Sequence, residues 1–173
     1  MDAYLFYLVN RGTQNRAFDA LMPAVSRYGN WIPVILVIFG YLIYRDGHKG
    51  LLLFLLAAVC VTASDFVSSK ILKDFFAVPR PCITLPDVHL LAGCTHSGSF
   101  PSSHAANSFA IASTLGFYQR RLWFIGVPCA LLVMFSRLYV GVHYPSDVAF
   151  GAVIGLGIAW AATRVSRLRH EPS

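Results

Sequence analysis

Apolar residues in this chain fall into long, nearly uninterrupted runs at 30–44, 50–70, 104–119, 122–138 and 147–165. Runs of this length with few charges predict helices that cross a membrane, because only a helix satisfies its own backbone in lipid. Residues 3–28 read differently. Phe6, Leu8, Phe18, Leu21, Met22 and Val25 are interrupted by Asn10, Arg11, Gln14, Asn15, Arg16, Asp19 and Arg27. That alternation predicts one or two amphipathic helices lying in the interface. The first apolar run is flanked by Trp31, Tyr41 and Tyr44, residue types that favour headgroup depth. Gly151, Gly155 and Gly157 on the last run are spaced for close helix packing. The pattern therefore predicts an all-α polytopic membrane helix bundle, with about five transmembrane helices and an amphipathic N-terminal interfacial helix. One domain is expected over 1–173: interfacial helices at 1–28, a transmembrane core at 30–165 and a basic cytoplasmic tail at 166–173.

Two polar connections break the pattern. Residues 73–103 hold Pro79, Pro81, Pro86, Gly93 and Gly98, which predict an irregular loop, with Val78-Pro79 ending the preceding helix. A loop this long in a small protein is usually functional. The second connection, 137–147, contains Gly141 and Pro145. Two helices separate the connections, so both emerge on the same face and one site can draw on both.

Composition agrees with a membrane assignment. Of 173 residues 56% are hydrophobic and 13% charged, and the mean hydropathy is +0.58. The net charge of +6 sits in short loops and the tail, which suits lipid headgroups and helix orientation, with no nucleic acid partner. Lys and Arg divide evenly. Arg45, Lys49, Arg120, Arg121, Arg164, Arg167 and Arg169 fall on one face; Arg11, Arg16, Arg27, Lys70, Lys73, Arg80 and Arg137 fall on the other. Setting aside Lys73, Arg80 and Arg137 as site residues tips the balance. The tail is then cytoplasmic and the polar loops face the exterior, or the periplasm of a bacterial inner membrane. Met1–Asn10 carry Asp2 and no basic n-region, so no cleavable signal peptide is evident. Cys60 and Cys129 lie in apolar runs and read as packing residues, whereas Cys82 and Cys94 share the long loop, where an oxidising exterior would pair them. His89 and His96 lie near that pair, but the spacing matches no familiar zinc finger.

Three stretches carry chemistry. Lys73 and Arg80-Pro81 offer a point charge and a planar fork, the latter held between prolines. Pro101-Ser102-Ser103-His104 precedes an apolar helix, so free backbone N–H groups and a serine make an anion cradle beside an imidazole able to donate a proton. Ser136-Arg137 ends a run, and His143 is followed by Asp147 in the first turn of the next helix. A carboxylate on one ring nitrogen of His143 leaves the other free to attack phosphorus. No carboxylate cluster for two metal ions, Gly-rich nucleotide loop or Cys-Arg phosphatase pattern is present in the sequence. The expectation is phosphate ester chemistry without metal or cofactor.

The chain resembles the type-2 phosphatidic acid phosphatase superfamily, which also holds bacterial acid phosphatases and vanadium haloperoxidases. The first family motif, lysine, six residues, Arg-Pro, is met by Lys73 and Arg80-Pro81. The second, Pro-Ser-Gly-His, is met by residues 101–104 with Ser103 in place of glycine. The third, Ser-Arg, five residues, His, three residues, Asp, is met by Ser136, Arg137, His143 and Asp147. The resemblance spans roughly 16–165. It implies that His143 forms a phosphohistidine, Asp147 orients it, and His104 protonates the leaving group and then activates water. Lys73, Arg80, Ser102, Arg137 and the Ser103 amide would hold the phosphoryl oxygens, with the Ser103 side chain narrowing the space beside them.

The membrane form of the family implies a lipid phosphate or diphosphate substrate in the bilayer. Undecaprenyl diphosphate is the first expectation, with phosphatidylglycerophosphate, phosphatidic acid and lipid A phosphate behind it. The N-terminal amphipathic segment would form part of a lateral gate for the lipid tail. A vanadate-dependent oxidase would reuse the same residues, but the family's oxidases are soluble. A non-catalytic lipid-binding or transport module would need the cations without the nucleophile and its base.

Overall fold

In the computed structural model, which describes residues 1–166, every regular element is helical among the described residues. The expected basic tail lies outside them from residue 167 onward. Two N-terminal helices, α1 (Asp2–Asn10) and α2 (Arg16–Ser26), precede α3 (Tyr28–Asp46) and α4 (His48–Phe66). Short α5 (Lys73–Phe76) and α6 (Pro81–Thr84) follow, then α7 (Ser103–Tyr118), α8 (Trp123–Tyr139) and α9 (Pro145–Ser166). Four segments are long and apolar enough to cross a membrane: α3, α4 with its continuation, α8 with the turn before it, and α9.

The fifth expected span, α7, has 16 residues and runs through the middle of the others. Its sequence explains the position. Ala105, Ala106, Asn107, Ala110, Ala112, Ser113, Thr114 and Gly116 are small or polar and buried, so neighbouring backbones approach closely. Its partner α9 presents Gly151 and Gly155. A Cβ at Gly151 would strike the Ser102 carbonyl, and one at Gly155 would strike the Ala106 carbonyl and the Ala110 amide. Gly157, expected to share this role, faces open space.

The helix runs past the apolar segment that ends at residue 70, from α4 through a π-helical turn (Val67–Leu72) into α5, close to the end expected at Val78-Pro79. The polar residues along it are satisfied inside the bundle. The Ser68 hydroxyl donates to the Ser64 carbonyl at 2.6 Å, and the Ser69 hydroxyl to Asp65 Oδ1 at 3.3 Å. The helix ends at Phe76 because Ala77 takes a left-handed conformation, φ 46°.

The N-terminal helices are tied down against the same end of the bundle. The Asn10 side chain donates to the His89 and Tyr139 carbonyls, at 2.9 and 2.8 Å, and accepts from the His89 amide at 2.9 Å. Met22 packs beneath them with Tyr139, Val140 and Val142. His89, considered above with zinc in mind, pairs instead with Asp19 at 2.8 Å. The Tyr139 hydroxyl, and then His89, hold the Asp19 carboxyl below its ordinary value.

Candidate active site

The polar face of the bundle gathers the C-terminal ends of α5 and α8 and the N-terminal ends of α7 and α9. His143 lies between α8 and α9 and is 1% exposed. Its Nδ1 faces Asp147 Oδ2 at 3.3 Å, and the same oxygen accepts the Tyr144 amide at 2.8 Å. Pro145 starts α9, so Asp147 is its third residue and caps the helix while fixing the ring. Burial, followed by the charges of Arg137, Arg80 and Lys73, pushes His143 well below the ordinary imidazole value. The ring is therefore neutral at physiological pH, with Nδ1–H toward Asp147 and a lone pair on Nε2. Arg80 Nη1 on His143 Nε2 and the Ser102 amide on the Asp147 carbonyl bring residues of all three stretches together.

Arg80 is extended (φ −74°, ψ 154°) between Pro79 and Pro81, as its sequence predicts. Nearly every donor on its guanidinium is assigned. Nε donates to the Ser97 carbonyl at 3.0 Å, Nη1 to the Val142 carbonyl at 3.1 Å and to His143 Nε2 at 3.3 Å, and Nη2 to Ser97 Oγ at 3.2 Å. Cys82 and Cys94 are bonded to each other, between Arg80 and the Ser97 and Gly98 acceptors that hold it.

Arg137 is 9% exposed; its Nη1 donates to the Ser26 hydroxyl while its Nε finds no partner. Ser102 precedes α7 in capping position, yet its hydroxyl caps nothing and is likewise buried and unpartnered. The Ser102 amide donates to the Asp147 carbonyl at 2.9 Å, joining the two helix starts. Ser103 turns its hydroxyl away from this region to Ser69 Oγ, 2.8 Å distant, so its side chain does not narrow the cradle as expected. His104, in the first turn of α7, stacks on Tyr28 with ring centroids 3.8 Å apart and planes 17° from parallel. Lys73 opens α5, with Gly98 packed against its backbone.

Beyond His104 a cavity of about 430 Å³ runs between α3, α7 and α8. It begins at Ser26, Tyr28, His104 and Asn107 and continues past Ile35, Ile111, Cys129 and Val133 to Leu115 and Leu122 near the far end. Cys129, expected as packing, lines this cavity, while Cys60 is fully buried. Among the described residues no group of three or more His, Cys, Asp or Glu side chains is arranged to hold a metal ion.

Several neighbours of the site were invisible in sequence. Ser26 ends α2 and Tyr28 opens α3, each more than seventy-five residues from the group it touches, with no spacing to betray them. Asp65 is different: a lone carboxylate inside an apolar run is a signal in itself.

One buried imidazole, His143, is thus held between Asp147 and Arg80, and a second, His104, opens to an apolar cavity. Comparison with known proteins agrees with the resemblance carried by the motifs. The profile of the PAP2 superfamily matches residues 50–171, and the chain belongs to that superfamily of phosphatases. It is 32% identical over 169 residues to the undecaprenyl-diphosphatase of Sulfolobus acidocaldarius, covering 93% of this chain and 76% of that protein. It is equally similar, 32% over 167 residues, to the lipid A 4'-phosphatase of Bacteroides thetaiotaomicron, covering 90% and 72%. The crystal structure of Aquifex aeolicus LpxE superposes with a TM-score of 0.72 at 30% identity, covering 94% of both chains.

Proposed function

We propose that this protein removes phosphate from a membrane lipid through a phosphohistidine on His143, with undecaprenyl diphosphate as its substrate. The observation that carries the reading is the pair of buried, unpartnered groups, Ser102 Oγ and Arg137 Nε, in a site already rich in cations. A buried donor without an acceptor costs about 1–3 kcal/mol. A phosphoryl group supplies acceptor oxygens to both, and to Lys73 and the free amides at the start of α7. Its arrival also draws Arg80 Nη1 from His143 Nε2 onto a phosphate oxygen, freeing the lone pair.

Nε2 then forms a bond to phosphorus as the P–O bond to the leaving group breaks. The leaving oxygen keeps the electron pair and takes a proton from His104. Asp147 holds Nδ1–H and stabilises the positive ring. In the second half a water gives its proton to His104 and attacks phosphorus. The P–N bond breaks, its pair returns to Nε2, and phosphate departs.

The apolar cavity meeting His104 supports a substrate with a hydrocarbon chain. The Cys82–Cys94 bond favours an oxidising compartment, and so an outward-facing site in the cytoplasmic membrane. We read the chain as one domain over 1–173. The test is phosphate release by detergent-purified protein, with EDTA present, from undecaprenyl diphosphate, lipid A, phosphatidylglycerophosphate and phosphatidic acid. Release that is fastest from undecaprenyl diphosphate supports the reading. Faster release from another lipid reassigns the substrate, and release from none of them by folded protein overturns the proposal.

A further inference from the structure

Asp65 is the one carboxylate in the apolar run of α4, and its side-chain partners lie on α7 and on the turn that follows α4. A carboxylate at this depth is costly unless bound, and two chains of hydrogen bonds leave it. Asp65 Oδ1 accepts from Asn107 Nδ2 at 3.1 Å, and the same amide nitrogen donates to the Tyr28 hydroxyl at 3.3 Å. Tyr28 carries the face on which His104 stacks. In the other chain Ser69 donates to Asp65 Oδ1 at 3.3 Å, which leaves its oxygen to accept from the Ser103 hydroxyl at 2.8 Å. Both chains end in the first turn of α7, at neighbouring residues.

We propose that Asp65, through Asn107 and Tyr28, positions the His104 ring for proton transfer, and that Ser103 is anchored by the same carboxylate. The inference rests on His104 being the proton donor. An imidazole on an exposed helix start turns freely about its side-chain bonds, and a donor must hold its N–H along the breaking P–O axis. Stacking on Tyr28 fixes the ring plane, and the hydrogen bond from Asn107 fixes Tyr28. An imidazolium among Lys73, Arg80 and Arg137 also needs a compensating anion. Asp147 is committed to His143, and Asp65 is the other carboxylate tied to this helix start, through Asn107 and through Ser69. The face of a phenol ring favours a neighbouring cation in the same sense. The serine at position 103 fits the same scheme: its hydroxyl has a receptor in Ser69, on the turn that follows α4, so the phosphate cradle keeps its backbone N–H.

A tie that only holds α3, α4 and α7 together would slow all substrates alike. A tie that aims a proton donor matters only where the leaving group needs the proton. We would measure kcat/KM, which reports the step that expels the leaving group, for dodecyl phosphate and for p-nitrophenyl phosphate. The activated aryl group leaves without help. Tyr28→Leu and Asp65→Ala are expected to lower the alkyl value about 10- to 100-fold and the aryl value less than about threefold, with His104→Ala showing the same imbalance more strongly. Asp65→Asn keeps an acceptor oxygen and is expected to recover most of the hydrogen-bonded positioning. Because each ratio is taken within one preparation, the folded fraction cancels. Equal losses on both substrates in Tyr28→Leu and Asp65→Ala overturn the positioning role. A wild-type protein inactive on both substrates overturns the phosphatase reading beneath it.

Discussion

The two histidines of the site are held in opposite ways. His143 sits where α8 meets α9, sealed from solvent and gripped by Asp147 on one nitrogen and Arg80 on the other. His104 sits at the mouth of an apolar cavity, steadied by the flat face of Tyr28 from a helix that borders lipid. One half of the site is overdetermined by short-range hydrogen bonds, and the other is assembled from α3, α4 and α7 at long range. The division matches the chemistry proposed for each. A nucleophile needs one fixed trajectory and a dry setting, whereas a proton donor must serve a leaving group that arrives with a hydrocarbon chain attached.

The largest expected effect lies in the sealed half. Under the proposed mechanism His143→Ala removes the attacking atom, and phosphate release is expected to fall more than about 10⁴-fold. Trapping with acid after mixing with labelled substrate should detect phosphoenzyme in the wild type and none in this variant. Asp147→Asn keeps the shape but loses the charge that stabilises the ring cation, and kcat falls about 10²- to 10³-fold with KM little changed. Gly155→Leu tests what joins the halves. Its side chain meets the Ala106 carbonyl, so α7 and α9 separate and the Ser102–Asp147 link stretches. A loss of about 2–3 kcal/mol is expected, read as a lowered Tm in detergent.

Smaller effects follow further out. Cys82→Ser, or reduction of the wild type by dithiothreitol, loosens the loop that holds Arg80 and raises KM about tenfold with kcat nearly kept. That is a fraction of the roughly 3 kcal/mol such a loop closure constrains. The smallest effect is on pH. The proposed nucleophile His143 needs a free lone pair and its value is depressed, so protonation removes it only well below the ordinary imidazole range. Corrected for substrate ionisation, kcat/KM should lack the fall beginning near about pH 6.5 that an ordinary imidazole nucleophile would give. A tenfold loss per pH unit beginning near 6.5 would mean that Nε2 titrates as an ordinary histidine.

The sealed half was legible in the sequence because its geometry is local. His143 and Asp147 are one helical turn apart, Pro145 marks the helix start, and Arg80 lies between prolines. The apolar runs likewise gave the bundle, since lipid tolerates few alternatives to a helix. What stayed hidden depended on partners distant in the chain. Ser68 and Ser69 read only as the polar end of an apolar run until their acceptor on the same helix and their neighbour on α7 are known. Ser26 and Tyr28 read as parts of an interfacial segment, yet they touch Arg137 and His104. Gly151, Gly155 and Gly157 look alike in sequence, and only the packing of α9 on α7 separates the first two from the third.

The brevity of α7 has a further consequence. At 16 residues it spans about 24 Å, against a hydrocarbon slab of about 30 Å. A leaflet that thins toward the protein brings nearby headgroups down to the level of Ser102 at its start. Bilayer thickness thus becomes a variable of the reaction. Reconstituted into lipids of increasing acyl length, the same molecules should turn over more slowly, as each added methylene lifts the phosphate away from its receptors.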